Sequence, residues 1–395
     1  MRKENNITII DLSIKRTSPA GSCVLYEVHG LSEHFSVTAF TTENDDLPSN
    51  VSVLRIGLPK FLPNFLRYVF FSLFLYFKVR KRRGDTTLLQ TTQGQYPWAD
   101  ISYAHFCNLA YLTNHFAKSD VGGLKRIARK MTYLFNYRME KLAFQNSKII
   151  VVPSKGLMRE ISSFYPQHKD KIQVIPNPVD LKKFYKPTDF DRNAMRLSLG
   201  LPKEDFIVAF SALGDFARKG LGLLMEAQQK TQHSFPHLRL LIIGGKEAEI
   251  EIYRKKAVQL GISDRINFVG TQKNISPYLW VSDIFSLPSS YETFSLVAIQ
   301  AATAGLPLLV TPIYGVEEYI KDGYNGWVVE RNTESIAAVF NQIVANEFEI
   351  SAMSKHILES VDRYDVQNFQ QAWTQLYTSL FSDKGTNTQH FTSTN

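Results

Sequence analysis

Apolar residues in this chain follow two alternating rhythms. Short runs rich in β-branched residues predict buried strands, and stretches with apolar positions three and four apart predict helices. In the first half the strands are Ile7–Leu12, Phe35–Thr41, Val51–Ile56, Thr86–Thr91, Ile101–His105, Lys148–Val152 and Ile172–Ile175. Between them, Ser18–Ser22 reads as a loop and N-cap for a helix over Cys23–Leu31. Leu124–Gln145 is a long basic helix, and Pro153-Ser154 caps another. The rhythm breaks over Pro176–Asp191, where Pro176, Pro178 and Pro187 stand among polar residues. It then restarts with strands Phe206–Phe210, Leu238–Ile243, Ile266–Val269, Ile284–Leu287, Pro307–Val310 and Trp327–Val329. Helices Leu221–Thr231, Glu247–Leu260, Leu296–Ala304 and Ser335–Ala345 alternate with them. A last helical pattern covers Phe369–Phe381, and Ser382–Asn395 has no periodicity and reads as disordered.

Strands alternating with helices imply parallel sheets covered on both faces. The fold expected is α/β, with two doubly wound Rossmann-like domains facing a central cleft. The domains are 1–176 and 192–360, joined by a hinge at 177–191. A helix over 361–381 and a tail over 382–395 follow. Ligands of such sheets bind at the carboxyl ends of strands.

Composition narrows the class. A chain of 395 residues, 44% hydrophobic, is too long for one ordinary core. Cys23 and Cys107 are its only cysteines, which argues against a disulfide framework or a Cys-based zinc site. Residues 1–6 are charged and polar and the next apolar run is short, so the expected compartment is cytoplasmic. The net charge of +8 is uneven: residues 1–190 hold 27 basic and 15 acidic side chains, and the remainder 18 and 22. A basic first half suits an anionic partner, such as acidic lipid, nucleic acid or a phosphorylated substrate. Nucleic acid fits least, because no interleaved aromatic and basic motif occurs. The sharpest basic feature is Phe61–Arg83, an apolar stretch ending in Lys78, Arg80, Lys81, Arg82 and Arg83. Its uninterrupted apolar core, Tyr68–Phe77, is too short to span a bilayer. It reads either as a helix resting in a membrane interface or as a buried domain helix. We favour a domain helix whose basic end faces acidic lipid.

The candidate chemistry sits mainly in the second half. Ser289–Ala302 runs from a strand end into a helix, with Glu292 in the turn and Gln300 eight residues on. Eight helical residues rise about 12 Å, too far for two groups to share a proton but suited to holding two parts of one long ligand. The helix start offers free N–H groups and a positive dipole end to an anion. Arg218 and Lys219, between Gly214 and Gly220, suit a diphosphate. His105, at a strand end, can serve as hydrogen-bond donor, base or transition-state dipole. Phosphate-loop, zinc-helix and nucleophile-elbow motifs are missing. The Asp189-Phe190-Asp191 pair lies in the linker, so no metal site is expected.

In this order the motifs resemble those of retaining GT-B glycosyltransferases of glycosyltransferase family four. The carriers are Ile175-Pro176-Asn177-Pro178-Val179-Asp180, Arg218-Lys219-Gly220, Glu292–Ala302, Gly305-Leu306-Pro307 and Asn325-Gly326-Trp327-Val328-Val329. The resemblance implies a nucleotide-sugar donor, UDP- or GDP-linked, with no cofactor. It assigns the diphosphate to Arg218 and Lys219, assisted by backbone N–H groups around Phe294, Ser295 and Leu296. Glu292 would hold donor-sugar hydroxyls, position 300 the ribose, and His105 would face the transferred sugar. It places Gly21 in the glycine-rich loop of the first domain and brings the last helix back to that domain. The acceptor, a glycan or lipid-linked sugar of cell-surface polysaccharide or glycolipid synthesis, would bind the basic first half at an anionic membrane face. Two departures stand out: Gln300 replaces a family Glu, and Ala20-Gly21 replaces paired glycines. They keep a second reading open, an impaired homologue serving as a sugar-nucleotide-binding subunit.

Overall fold

A computed structural model describes residues 5–59, 61–62, 64–79, 87–116 and 123–391. The chain divides into two compact units, Met1–Pro178 with Val366–Asn395, and Val179–Asp365.

The first unit is built on a parallel sheet. Its strands are β1 (Asn6–Ile10), β2 (Ser36–Thr41), β3 (Ser52–Arg55), β4 (Thr87–Thr92), β5 (Ile101–Tyr103), β6 (Ile149–Val152) and β7 (Ile172–Val174), in spatial order 3-2-1-4-5-6-7. Its helices include α1 (Pro19–His34), α2 (Asn64–Val79), α3 (Asn108–Asn114), α4 (Gly123–Asn146) and α5 (Lys155–Phe164). Ile7, Ile9 and Ile10 on β1 are fully buried, as expected for a strand covered on both faces.

Two expectations change here and a third holds. Helix α1 starts at Pro19, capped by Ser18, whose hydroxyl accepts from the Gly21 N–H at 3.2 Å. Gly21 is therefore in a helical first turn and not in a loop. A Cβ there would lie 1.8 Å from the Ser13 carbonyl oxygen, so close packing explains this glycine. Next, the last helix runs over Val366–Phe391, through most of the segment read as a disordered tail. No proline interrupts that segment, and each added residue needs only one more backbone bond. The helix docks inside the first unit: the Tyr377 hydroxyl donates to Gln90 Oε1 at 2.7 Å, and Trp373 meets Tyr103 edge-on at 4.9 Å. Lastly, α2 packs into the first unit as a domain helix. Phe71, Leu75 and Val79 are buried in the core, while Phe70, Leu73 and Phe77 are exposed. The basic run Arg80–Arg83 lies outside the described residues. No helix among the described residues is long and apolar enough to cross a membrane.

Helix α3 escapes the apolar pattern because its N-terminus is secured from another element. Glu140 on α4 accepts from the Asn108 N–H and side-chain amide, both at 2.7 Å, and from the Tyr165 hydroxyl at 2.8 Å. Burial pushes the Glu140 carboxyl up to about 7, against the pull of those donors. A raised carboxyl value means that the folded state holds its proton longer than the unfolded chain. The resulting stabilisation is complete below the unfolded value and disappears as pH rises through about 7. Asp11, raised to about 6 by burial, acts in the same direction. Melting temperature should therefore fall as pH rises from about 5 to about 8, and the Glu140→Gln protein, less stable throughout, should show a shallower fall. An equal slope in both proteins would remove this role of Glu140.

The second unit has strands β8 (Phe206–Ala212), β9 (Leu238–Gly244), β10 (Ile266–Gly270), β11 (Ile284–Leu287), β12 (Leu308–Val310) and β13 (Gly326–Val328). All pair in parallel, in spatial order 10-9-8-11-12-13. Ile207, Val208, Ala209 and Phe210 of the central strand are fully buried. Before β11, Asp283 takes Arg192, Arg196 and the Ile207 N–H, tying Arg192–Ser198 to the sheet.

Most of the segment read as hinge belongs to this unit. The Val179 N–H donates to the Tyr364 carbonyl at 2.8 Å, and Phe184 is buried with its carbonyl accepting from Trp280 Nε1. The prolines do punctuate the chain, but the apolar residues between them find a core, which spacing alone does not reveal. The helix Ile350–Val361, not foreseen, buries Met353, Ile357 and Val361.

Candidate functional site

Strand order in the second unit reverses between β8 and β11, so the loops after these two strands flank a topological switch point. The first loop leads into the short helix α6 (Phe216–Lys219), and the second into α9 (Leu296–Thr303), counting α7 (Leu221–Thr231) and α8 (Glu247–Leu260) between them. Arg218 and Lys219 come from the first loop and Glu292 from the second.

The backbone of the first loop turns through left-handed conformations. Gly214, Asp215 and Gly220 all have positive φ, 157°, 60° and 85°. A Cβ on Gly220 would lie 2.2 Å from the Pro288 carbonyl oxygen, so only glycine lets the two loops touch here. The Ser290 N–H donates to the Arg218 carbonyl at 2.9 Å across the same seam.

Three side chains converge on one oxygen. Glu292 Oε1 accepts from Lys219 Nζ, from Arg218 at 3.1 Å and from the Ser289 hydroxyl at 2.9 Å. Arg218 also donates to the Tyr291 carbonyl at 2.6 Å and to Asp215 at 2.7 Å. Burial works to lower the Arg218 pKa, but Glu292 and Asp215 outweigh it and hold it above its ordinary value. Lys219 and Glu292 are only 15% and 11% exposed, so their charges act in a poorly solvated setting. Among the described residues Glu292 Oε2 takes none of these bonds. The arrangement presents two fixed cations beside one carboxylate oxygen left for another donor.

The turn after Glu292 builds the start of α9. Ser295 is its N-cap, the hydroxyl accepting from the Ala298 N–H at 3.3 Å. The N–H groups of Leu296 and Val297 fall in the first turn, where a helix makes no internal bonds for them. The Phe294 side chain is buried, near Tyr364 at 6.0 Å, and a Cβ on Gly315 would come within 2.8 Å of it. Phe294 thus anchors the turn through its side chain. Gln300 is partly exposed, further along α9.

Gly21 and His105 belong to the first unit. His105 stands two residues beyond the end of β5, its ring 4.0 Å from Tyr103. Burial lowers its pKa to about 3, so the imidazole is neutral near neutral pH. The structure thereby disfavours a cationic His105, and a neutral imidazole can donate or accept a hydrogen bond.

Some site residues carried no assignment from sequence. Ser289 opens the Ser289–Ala302 segment, but nothing in the sequence distinguishes its hydroxyl from that of Ser290. Arg331 donates to the carbonyls of Ala217 at 3.0 Å and Pro288 at 3.2 Å, clamping the two loops from a distant segment. Thr311 holds the Ser289 carbonyl at 2.5 Å. The Arg331 and Thr311 contacts join residues 22 to 114 apart and leave no local signal, so sequence reasoning missed them.

Comparison with known proteins places the chain in a family. Residues 191–358 match the model "Glycosyl transferases group 1", and residues 20–183 match "Glycosyltransferase Family 4". A D-inositol 3-phosphate glycosyltransferase of Corynebacterium urealyticum is 25% identical over 251 residues, 61% of this chain and 59% of that protein. The alpha-monoglucosyldiacylglycerol synthase of Acholeplasma laidlawii is 28% identical over 261 residues, 64% of this chain and 62% of that one. The matched region thus spans less than two thirds of either relative. Among solved structures, WaaG, a glycosyltransferase involved in lipopolysaccharide biosynthesis, has a TM-score of 0.76 at 17% identity, covering 94% of this chain and 99% of its own. Anabaena HepE in complex with UDP and glucose has a TM-score of 0.67 at 16% identity, covering 95% and 100%. With two parallel doubly wound units, and both halves matched by models of one group of enzymes, the chain belongs to glycosyltransferase family four and has the GT-B fold.

Proposed function

We propose that this chain moves a sugar from a nucleotide diphosphate to a glycan or lipid-linked acceptor, with retention of configuration. The carrying observation is the pair Arg218 and Lys219 held at the switch point beside Glu292. In this reading the two cations and the N–H groups of Leu296 and Val297 take the charge of the leaving diphosphate, which is where electrostatic catalysis gains most. Two fixed cations fulfil that role without a divalent ion. Glu292 Oε2 accepts from a donor-sugar hydroxyl, and Gln300 hydrogen-bonds the ribose with both donor and acceptor groups. His105 supplies a neutral dipole toward the transferred sugar. The HepE complex with UDP and glucose supports a UDP-linked donor, and the Acholeplasma relative supports a glycolipid product. The basic first half supports peripheral association with an anionic membrane face.

A donor panel tests the reading. The protein should melt at a higher temperature with one nucleotide sugar than with the rest, and should hydrolyse that donor slowly when no acceptor is present. No response to any donor would sink the proposal. Stabilisation without hydrolysis or transfer would favour the second reading, a binding subunit, for which the uncharged Gln300 is the motivating residue.

A further inference from the structure

Helix α2 is apolar on two opposite sides. Its inner side, Phe71, Leu75 and Val79, is fully buried. Its outer side repeats at helical spacing through Leu66, Phe70, Leu73, Phe74 and Phe77, of which Phe70 is 46%, Leu73 52% and Phe77 70% exposed. A helix covering a core normally turns polar side chains outward, and contiguous exposed apolar patches of this kind mark an interaction surface. The inner side already accounts for folding, so the outer side needs a different explanation.

The surrounding charge identifies the occupant. From Leu47 to Val79 the described residues include Arg55, Arg67 and Lys78 and no Asp or Glu. Lys78 lies over the Phe74 ring at 5.9 Å, on the exposed side of the helix. Helix α4 touches α2 through Phe135, edge-on to Phe65 at 5.4 Å and to Tyr68 at 5.7 Å. Between Asp120 and Glu140, α4 and the residues before it hold five Lys or Arg and no acid, and Glu140 itself is buried. Exposed Ile127 and Met131 stand among those cations. Aromatic and aliphatic side chains on one face of a helix that carries the exposed Lys78 and no acid, beside the basic α4, match the boundary between headgroups and acyl chains of an anionic bilayer. A protein partner with an acidic surface would satisfy the cations but not five exposed apolar side chains.

We propose that the outer face of α2 inserts into the interface of an anionic phospholipid bilayer, with the basic residues of α2 and α4 on the headgroups. Binding then has a hydrophobic part as well as an electrostatic one. This rests on the reading that the acceptor is membrane-linked, and it assigns to α2 the contact that brings the enzyme there.

Vesicle sedimentation tests it, using the full chain with phosphatidylcholine vesicles and with vesicles also containing phosphatidylglycerol. The native protein should bind the anionic vesicles and keep part of that binding at ~1 M salt, where the Debye length is only about 3 Å. A protein carrying Phe70→Ser, Phe74→Ser and Phe77→Ser should bind at least about tenfold more weakly and lose the salt-resistant part. Its melting temperature should fall only modestly and the transition should stay cooperative, since these side chains are partly exposed and outside the fully buried inner set. In a separate Leu73→Trp protein, the emission should shift to the blue with anionic vesicles. No binding by the native protein, or equal binding by the triple variant at both salt levels, overturns the proposal. So does a native dimer that becomes monomeric in the triple variant with no vesicle binding by either, because a second copy then covers the face. Nucleotide binding, measured without vesicles, separates the two readings: its loss with vesicle binding intact would fail the transferase proposal and leave the docking face standing.

Discussion

Replacing Lys219 by Ala should lower turnover by about a hundredfold to a thousandfold, the range found when one preorganised donor to a developing negative charge is removed. Donor binding should weaken less, by about tenfold, because a hydrogen bond to a charged group contributes about 1.5–3 kcal/mol and Arg218 remains. Catalysis suffers more than binding, since charge on the diphosphate grows as the sugar leaves. The substitution also leaves Glu292 with one cation fewer in a poorly solvated place, so the melting temperature should drop. Pairing it with Glu292→Gln should recover part of that stability but none of the turnover. Steady-state kinetics, nucleotide titration and thermal melting on the four proteins of this cycle measure each quantity. Native turnover in the Lys219→Ala protein would remove Lys219 from the reaction.

Glu292→Gln should separate binding from chemistry in opposite directions. In the native chain the Glu292 carboxylate partly neutralises Arg218 and Lys219. Removing its charge frees both cations for phosphate, so UDP alone should bind more tightly, by up to about tenfold. Sugar transfer should nevertheless fall by about a hundredfold or more, because the amide is a weaker acceptor for the sugar hydroxyl than the ion it replaces. A change that tightens the nucleotide and disables transfer distinguishes a sugar-holding carboxylate from a structural one, whose loss would weaken both. Parallel loss of UDP affinity and turnover would show that Glu292 only builds the loop.

Sequence and structure divide the account of this protein along clear lines. Strand and helix types were legible because each element carries its own period. Leu221–Thr231, Glu247–Leu260 and Ile284–Leu287 have the same bounds in the pattern and in the structure. A fully buried parallel strand needs an unbroken apolar run, and such a run is visible without knowing its neighbours. Boundaries were less legible where a side chain from elsewhere decides them. Helix α3 depends on Glu140 to hold its first N–H groups.

The site was legible as a set of residues but not as a mechanism of assembly. Arg218, Lys219 and Glu292 declared themselves by type and context, since cations in an acidic half and an acid before a helix start are local facts. Their convergence on a single carboxylate oxygen is not local. It depends on strand order, which brings the ends of β8 and β11 side by side though they are more than seventy residues apart in sequence. The Arg331 clamp and the Ser289 hydroxyl depend on the same juxtaposition. The sequence by itself therefore determined the α/β class, the doubly wound organisation and the residue types of the site, all of which follow from local periodicity and charge. Tertiary structure alone decided which charges meet, that His105 is neutral, and that α2 has a face left over once the core is full, because each of these is set by burial and by long-range contact.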